Sequence, residues 1–109
     1  MAEASLRGRR GDGVAKLRPV IVIDDRIEHG IDSEVEVVVV THTPDEPDGV
    51  YIDVPFAANG NCCSKLGKAS WACAHWVTRV HIGELDINKY GYCGPGALKR
   101  ILAEVGKRR

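Results

Sequence analysis

With 109 residues the chain has room for one domain built on a single modest core, which excludes a multidomain enzyme. A hydrophobic content of 44% fills such a core, but aromatic residues make up only 6%, so Val, Ile, Leu and Ala carry the packing. Fifteen basic residues balance 15 acidic ones, and this argues against a uniformly basic nucleic-acid binder.

The charge is unevenly placed. Residues 1–18 hold five Lys/Arg against two acids, residues 95–109 hold five against one, and the middle holds five against twelve. The ends are therefore +3 and +4 and the middle −7. That pattern suits a polyanion at the ends, a basic partner at the centre, or a plain solvated surface. No targeting segment and no membrane-length apolar run is legible, so a cytoplasmic, non-membrane location is expected. Cys62, Cys63, Cys73 and Cys93 fit no disulfide framework, and a reducing compartment keeps them as thiols.

Residues 1–15 are polar, rich in Gly and Arg, and lack periodicity. They read as a polar N-terminal arm or a displaced first strand ahead of a domain over 16–109. Pro19 to Ile23 is a β-branched run closed by Asp24-Asp25, the pattern of a buried strand. Glu34 to Thr41 begins in alternation and becomes continuously apolar, as in a strand that passes from an edge into a core. Thr43 to Gly49 is a Pro- and Asp-rich loop, Val50 to Val54 alternates again, and Asn59-Gly60-Asn61 is a turn. Two short strand-like stretches follow, Ser70–Ala74 and Trp76–Ile82, with a bend between them. Leu98, Ile101, Leu102 and Val105 recur at helical spacing after Pro95, so the chain ends on a helix. The sum is a mainly β, α+β domain: a small, strongly bent sheet or barrel with a covering C-terminal helix.

Five features in order resemble one known family. Lys16-Leu17-Arg18-Pro19 followed by Val20-Ile21-Val22-Ile23 resembles the K-x-R-P strand of MazF/PemK-type toxins. A second strand then ends on Thr41, at a separation from Arg18 typical of that family. Leu66-Gly67-Lys68-Ala69-Ser70-Trp71 resembles its segment before the fourth strand, and Val77 to Leu85 its strand leading to a short connecting helix. Gly91 with Leu98, Ile101 and Leu102 resembles its glycine turn and last helix. The likeness spans roughly 16–106 and implies an SH3-like, CcdB/MazF-type barrel of about five to seven strands with a C-terminal helix. Family members place a strand and a long loop between an Arg-Gly-Asp-like triplet and the R-P strand. Here Arg10-Gly11-Asp12 nearly abuts Lys16, so both are expected to be missing or compressed.

The resemblance implies a toxin of a type II toxin–antitoxin system, a sequence-selective endoribonuclease that cuts single-stranded RNA without metal or other cofactor. It further implies a homodimer and a cognate antitoxin partner. The implied catalytic residues are Arg18 and Thr41. An Arg fork fits phosphate oxygens and stays charged, and a Thr hydroxyl helps to hold the same phosphate. Attack by the ribose 2′-hydroxyl then needs only positioning and charge stabilisation. His42 is a candidate general base near neutral pH, and Thr43, Lys16 and Ser70 are candidate substrate contacts.

Each residue also has a plainer reading: Arg18 pairing with Asp24 or Asp25, and Thr41 ending a strand. Trp71 and Trp76 suit base stacking, but large aromatics on strands more often serve a core or a dimer interface. Adjacent Cys62 and Cys63 without a second pair do not make a zinc knuckle, so no metal site is expected; a zinc-dependent nucleic-acid module is the weakest of the functional classes considered. The alternative to the nuclease is a non-catalytic small barrel that binds protein, either a degenerate toxin that keeps its antitoxin or a gyrase-poisoning toxin like CcdB.

Overall fold

The computed structural model describes residues 1–7, 15–23, 34–60, 62–86 and 89–108, apart from the side chains of Arg7, Ala15 and Lys16. Its strands are β1 (Ala2–Arg7), β2 (Ala15–Val22), β3 (Glu34–Thr41), β4 (Tyr51–Val54) and β5 (Ser70–His81). They form one antiparallel sheet in the order β1-β2-β3-β5-β4. A 3-10 turn follows at Ile82–Glu84, and one helix, α1, spans Pro95–Lys107.

β3 organises the sheet because its valines are apolar on both sides. Side chains alternate across a strand, so Val35, Val37 and Val39 enter one face and Val38 and Val40 the other. All five are at most 1% exposed. Burying a Val side chain contributes about 1.5–3 kcal/mol, so this strand alone anchors much of the fold. On the first face Ile21, Val38, Val40, Ile52, Val54 and Ala72 pack with Ile101 and Val105 of α1. On the second, Ala2, Ala4, Val20, Val37, Val39 and Val80 form a separate cluster, flanked by Trp76, Ile82 and Leu85.

Within residues 1–15, read as a polar arm or a displaced first strand, β1 forms, and it lies ahead of the Arg-Gly-Asp triplet. β1 pairs with β2 from Ala2↔Val20 to Arg7↔Ala15. Its inward residues are Ala2 and Ala4, 1% and 2% exposed, so small size suits them to a crowded face where no β-branched run announces a strand. The expected pair of strands after Ser70 is instead one strand of 12 residues. The bend is a bulge: Val38 pairs with Val77 and Val40 with Ala72, which leaves Cys73 to Trp76 opposite Val39.

The sheet is open, with β1 and β4 as its edges. After β5 the chain folds back to β1, where Glu3 and Asp86 exchange backbone hydrogen bonds of 2.9 Å. Helix α1 begins with Pro95 at its first position, after Gly94 at φ 87°. Ile101 and Val105 are buried, whereas Leu102 is 44% exposed and lies outside the core that its spacing suggested. Among the described residues no helix is long and apolar enough to cross a membrane.

Candidate functional site

Arg18 lies in the middle of β2, and Thr41 is the last residue of the neighbouring β3. The β2–β3 ladder runs Val22↔Val37, Ile21↔Val38, Val20↔Val39. The ladder ends there, next to Pro19, which has no N–H to donate, and Arg18 and Thr41 each lie two residues beyond its last pair. Alternation also gives them a common face. Arg18 pairs with Ala4 of the second cluster, and Thr41 pairs with Trp71 one step from Val40↔Ala72 of the first.

The Arg18 guanidinium lies over the Trp76 ring, its Cζ 5.1 Å from the centroid. Its Nε is buried and has no hydrogen-bond partner among the described residues. An unpaired buried donor costs about 1–3 kcal/mol, a penalty that an anionic ligand would remove. Asp24 and Asp25, the surface partners considered for Arg18, lie outside the described residues.

Thr41 Oγ1 accepts the Thr43 N–H at 3.1 Å, a tight hydroxyl turn at the strand exit. Its own hydroxyl donates to the Thr43 carbonyl at 3.4 Å and lies 3.3 Å from the Thr43 hydroxyl. His42 and Thr43 are exposed beside it. A second network pins the rest of this loop. His75, at the bulge, accepts the Val50 N–H on Nδ1 at 3.0 Å and contacts Glu46 Oε2 through Nε2 at 2.9 Å. The Tyr51 hydroxyl accepts the Glu46 N–H at 3.0 Å, and Gly49 is packed so closely against Tyr51 and His75 that any Cβ would collide with both rings.

A cleft of about 460 Å³ opens at this end of the sheet, lined by Thr41, His42 and Ser70 together with Lys65, Lys68 and Lys89. Thus Thr41, His42 and Ser70 converge on one cavity. Thr43 and Arg18 sit outside its lining, Arg18 lying over Trp76, and the Lys16 side chain lies outside the described residues. Ser70 Oγ donates to the Lys68 carbonyl at 2.9 Å and so shapes the rim rather than offering a free donor.

The three lysines are absent from the expected site. Their signal was in the chain, a Lys-x-x-Lys pair just before Ser70, yet only folding brings them to Thr41. Lys65 adopts φ 60°, and Ser64, fully buried, holds its loop by donating to the Pro55 carbonyl and accepting the Leu66 N–H. The same loop is tied to the segment before α1, for Tyr92 N–H donates to Cys63 O at 2.7 Å and Gly91 N–H to Ser64 O at 3.0 Å. Lys89 Nζ meets Glu3 at 2.8 Å, and the hydrogen bond to that carboxylate raises the lysine's pKa. Among the described residues Lys65 and Lys68 make no ion pair, so the cleft presents net positive charge next to a hydroxyl and an imidazole. Also among them, no three His, Cys, Asp or Glu side chains are grouped to hold a metal.

Compared with known proteins, the chain matches no family model, no curated protein and no solved structure.

Proposed function

We propose that this protein is an endoribonuclease of the MazF/PemK type, a toxin that cuts single-stranded RNA without a metal. The observation that carries this reading is that Thr41 and His42 line a lysine-rich cleft, with Arg18 two residues beyond the β2–β3 ladder that leads to Thr41 and its guanidinium over Trp76. In the reaction, the ribose 2′-oxygen attacks phosphorus and the bond to the 5′-oxygen breaks. A 2′,3′-cyclic phosphate and a 5′-hydroxyl result. Arg18 stabilises the charge that builds on the phosphoryl oxygens, and Thr41 donates to one of them. Exposed His42 takes the 2′-hydroxyl proton, the leaving oxygen is protonated from solvent, and Lys65 and Lys68 hold flanking phosphates.

The fold supports the same reading. A bent five-stranded sheet with a terminal helix, whose chain returns to bind β1, resembles a small SH3-like barrel of that family. The toxin acts in the cytoplasm as a homodimer and is held in check by an antitoxin. Support for a protein partner comes from an apolar groove of Met1, Ile21, Val22, Tyr92 and Leu98, where Tyr92 is 78% exposed. The same groove favours the second reading, a non-catalytic barrel that only binds protein, an antitoxin or gyrase. Incubating purified protein with single-stranded RNA in excess chelator separates the two. Fragments ending in cyclic phosphate and 5′-hydroxyl are expected; intact RNA with a folded protein overturns the nuclease.

A further inference from the structure

The groove does not stop at Ser70. That residue lines the lysine cleft on one side and, on the other, a second cleft of about 670 Å³ where the β4–β5 edge meets the start of α1. The second cleft has a different chemistry. Its walls carry Trp71, Phe56, Asp53 and Arg100: two flat apolar surfaces with one acceptor and one donor group. Phe56 is 49% exposed on the loop after β4, where it serves no core. Trp71 is half-buried and pairs across the sheet with Thr41 on one side and Asp53 on the other. The row Thr41-Trp71-Asp53 therefore runs from the proposed reacting centre straight into this cleft.

We propose that the second cleft is a nucleobase subsite, in which the base next to the cleaved bond lies against Trp71 and Phe56 while Asp53 and Arg100 read its edge. The inference rests on the ribonuclease reading and adds to it the origin of sequence preference. A nucleotide joins an anionic phosphate to a flat, largely apolar base, and the two clefts that Ser70 borders offer cations and a hydroxyl in one and aromatic rings in the other. Rings supply stacking on any base. The selection comes from the exposed carboxylate and guanidinium, which match different donor and acceptor patterns on different bases.

The test uses the full chain and a random-sequence RNA pool, with cut sites mapped by sequencing and kcat/KM measured on the preferred oligonucleotide. Phe56→Ala and Trp71→Ala are expected to lower kcat/KM about 5- to 150-fold, the range for losing one stacked base, with Trp71→Phe restoring most of it. Asp53→Asn is expected to change the base preferred at one position beside the cut, which a merely structural role would not move. A wild-type protein that cuts RNA, with Phe56→Ala and Asp53→Asn leaving rate and cut-site preference unchanged, overturns the subsite alone. A folded wild-type protein that cuts no RNA removes the parent reading, and the subsite with it. Phe56→Ala keeps the test decisive if Trp71→Ala fails to fold, because Phe56 lies outside both core clusters.

Discussion

Replacing Arg18 by Ala separates chemistry from stability, because the structure sets two opposing terms on the folding side. The substitution removes the guanidinium from the Trp76 ring, 5.1 Å away. Such a contact is worth about 0.5–1 kcal/mol where solvent has access. It also removes the buried Nε that lacks a partner among the described residues, a relief of about 1–3 kcal/mol. Loss of the alkyl stem's packing returns part of that gain. The net change in stability is therefore within about 2 kcal/mol, and the melting temperature of a domain this size moves by no more than about 10 °C. On the proposed nuclease reading, losing one preorganised donor to the developing charge lowers kcat by about 10²–10³, or 2.7–4 kcal/mol. Arg18→Lys keeps the charge but loses the planar fork, and is expected to remain at least about tenfold below wild type. Initial rates on a fluorescence-quenched RNA in chelator, with thermal melts of the same samples, read both quantities. If Arg18→Ala cleaves within roughly threefold of wild type, a difference well under 1 kcal/mol, Arg18 has no part in the chemistry. If the rate falls only as far as the folded fraction does, the Trp76 contact is structural and nothing more.

Thr41→Val removes both the donor for phosphate and the acceptor for the Thr43 N–H, so cleavage falls about 10- to 150-fold, while Thr41→Ser keeps both and most of the rate; equal activity in all three proteins rules out a role for the hydroxyl. Gly91→Ala drives a Cβ into the Cys63 carbonyl, and overpacking of this kind lowers stability by about 1–3 kcal/mol in a chemical melt. Gly106→Ala, by contrast, meets open space on α1 and raises stability by about 0.4–1 kcal/mol in the same assay. Mass spectrometry after a brief pulse of iodoacetamide at neutral pH is expected to find Cys62 modified ahead of Cys93. The Ser64 hydroxyl lowers the Cys62 pKa and favours thiolate at a given pH, whereas burial raises that of Cys93; the opposite order contradicts the loop geometry.

What the sequence made legible follows the strength of local patterning. Glu34–Thr41 was readable to the residue, since a valine run fixes a central strand whatever it packs against. The helix was readable from its spacing, but not the exposure of Leu102, because a helical repeat says which residues share a face and not how wide the covering sheet is. β1 was hidden because Ala2 and Ala4 are buried for their small size, a reason visible only once Val20 and Arg18 stand opposite. The bulge in β5 was visible as a bend and not as a continuous strand, since alternation breaks at His75, where Ala74 and Trp76 go to opposite faces. Arg18, Thr41, His42 and Ser70 were singled out through their neighbours in sequence, and of these Thr41, His42 and Ser70 line one cleft. Lys65, Lys68 and Lys89 were not singled out, because their meeting at Thr41 depends on the loop held by Ser64 and on the ion pair with Glu3.

The bulge at Cys73–Trp76 also bears on how this chain tolerates insertions and deletions. In an unbroken strand, one lost residue turns every following side chain to the other face. Here four residues already stand opposite one, so the two halves of β5 hold separate phases. Ser70–Cys73 is keyed to β4 and the rim, with Ala74 N–H donating to the Val50 carbonyl, and Val77–His81 to β3. A length change confined to His75 and Trp76 leaves both keys in place, although it disturbs the hold of His75 on Val50. Related chains are therefore expected to vary in length here before they vary within either half, with the rim keeping its aim while the anchor keeps its fit.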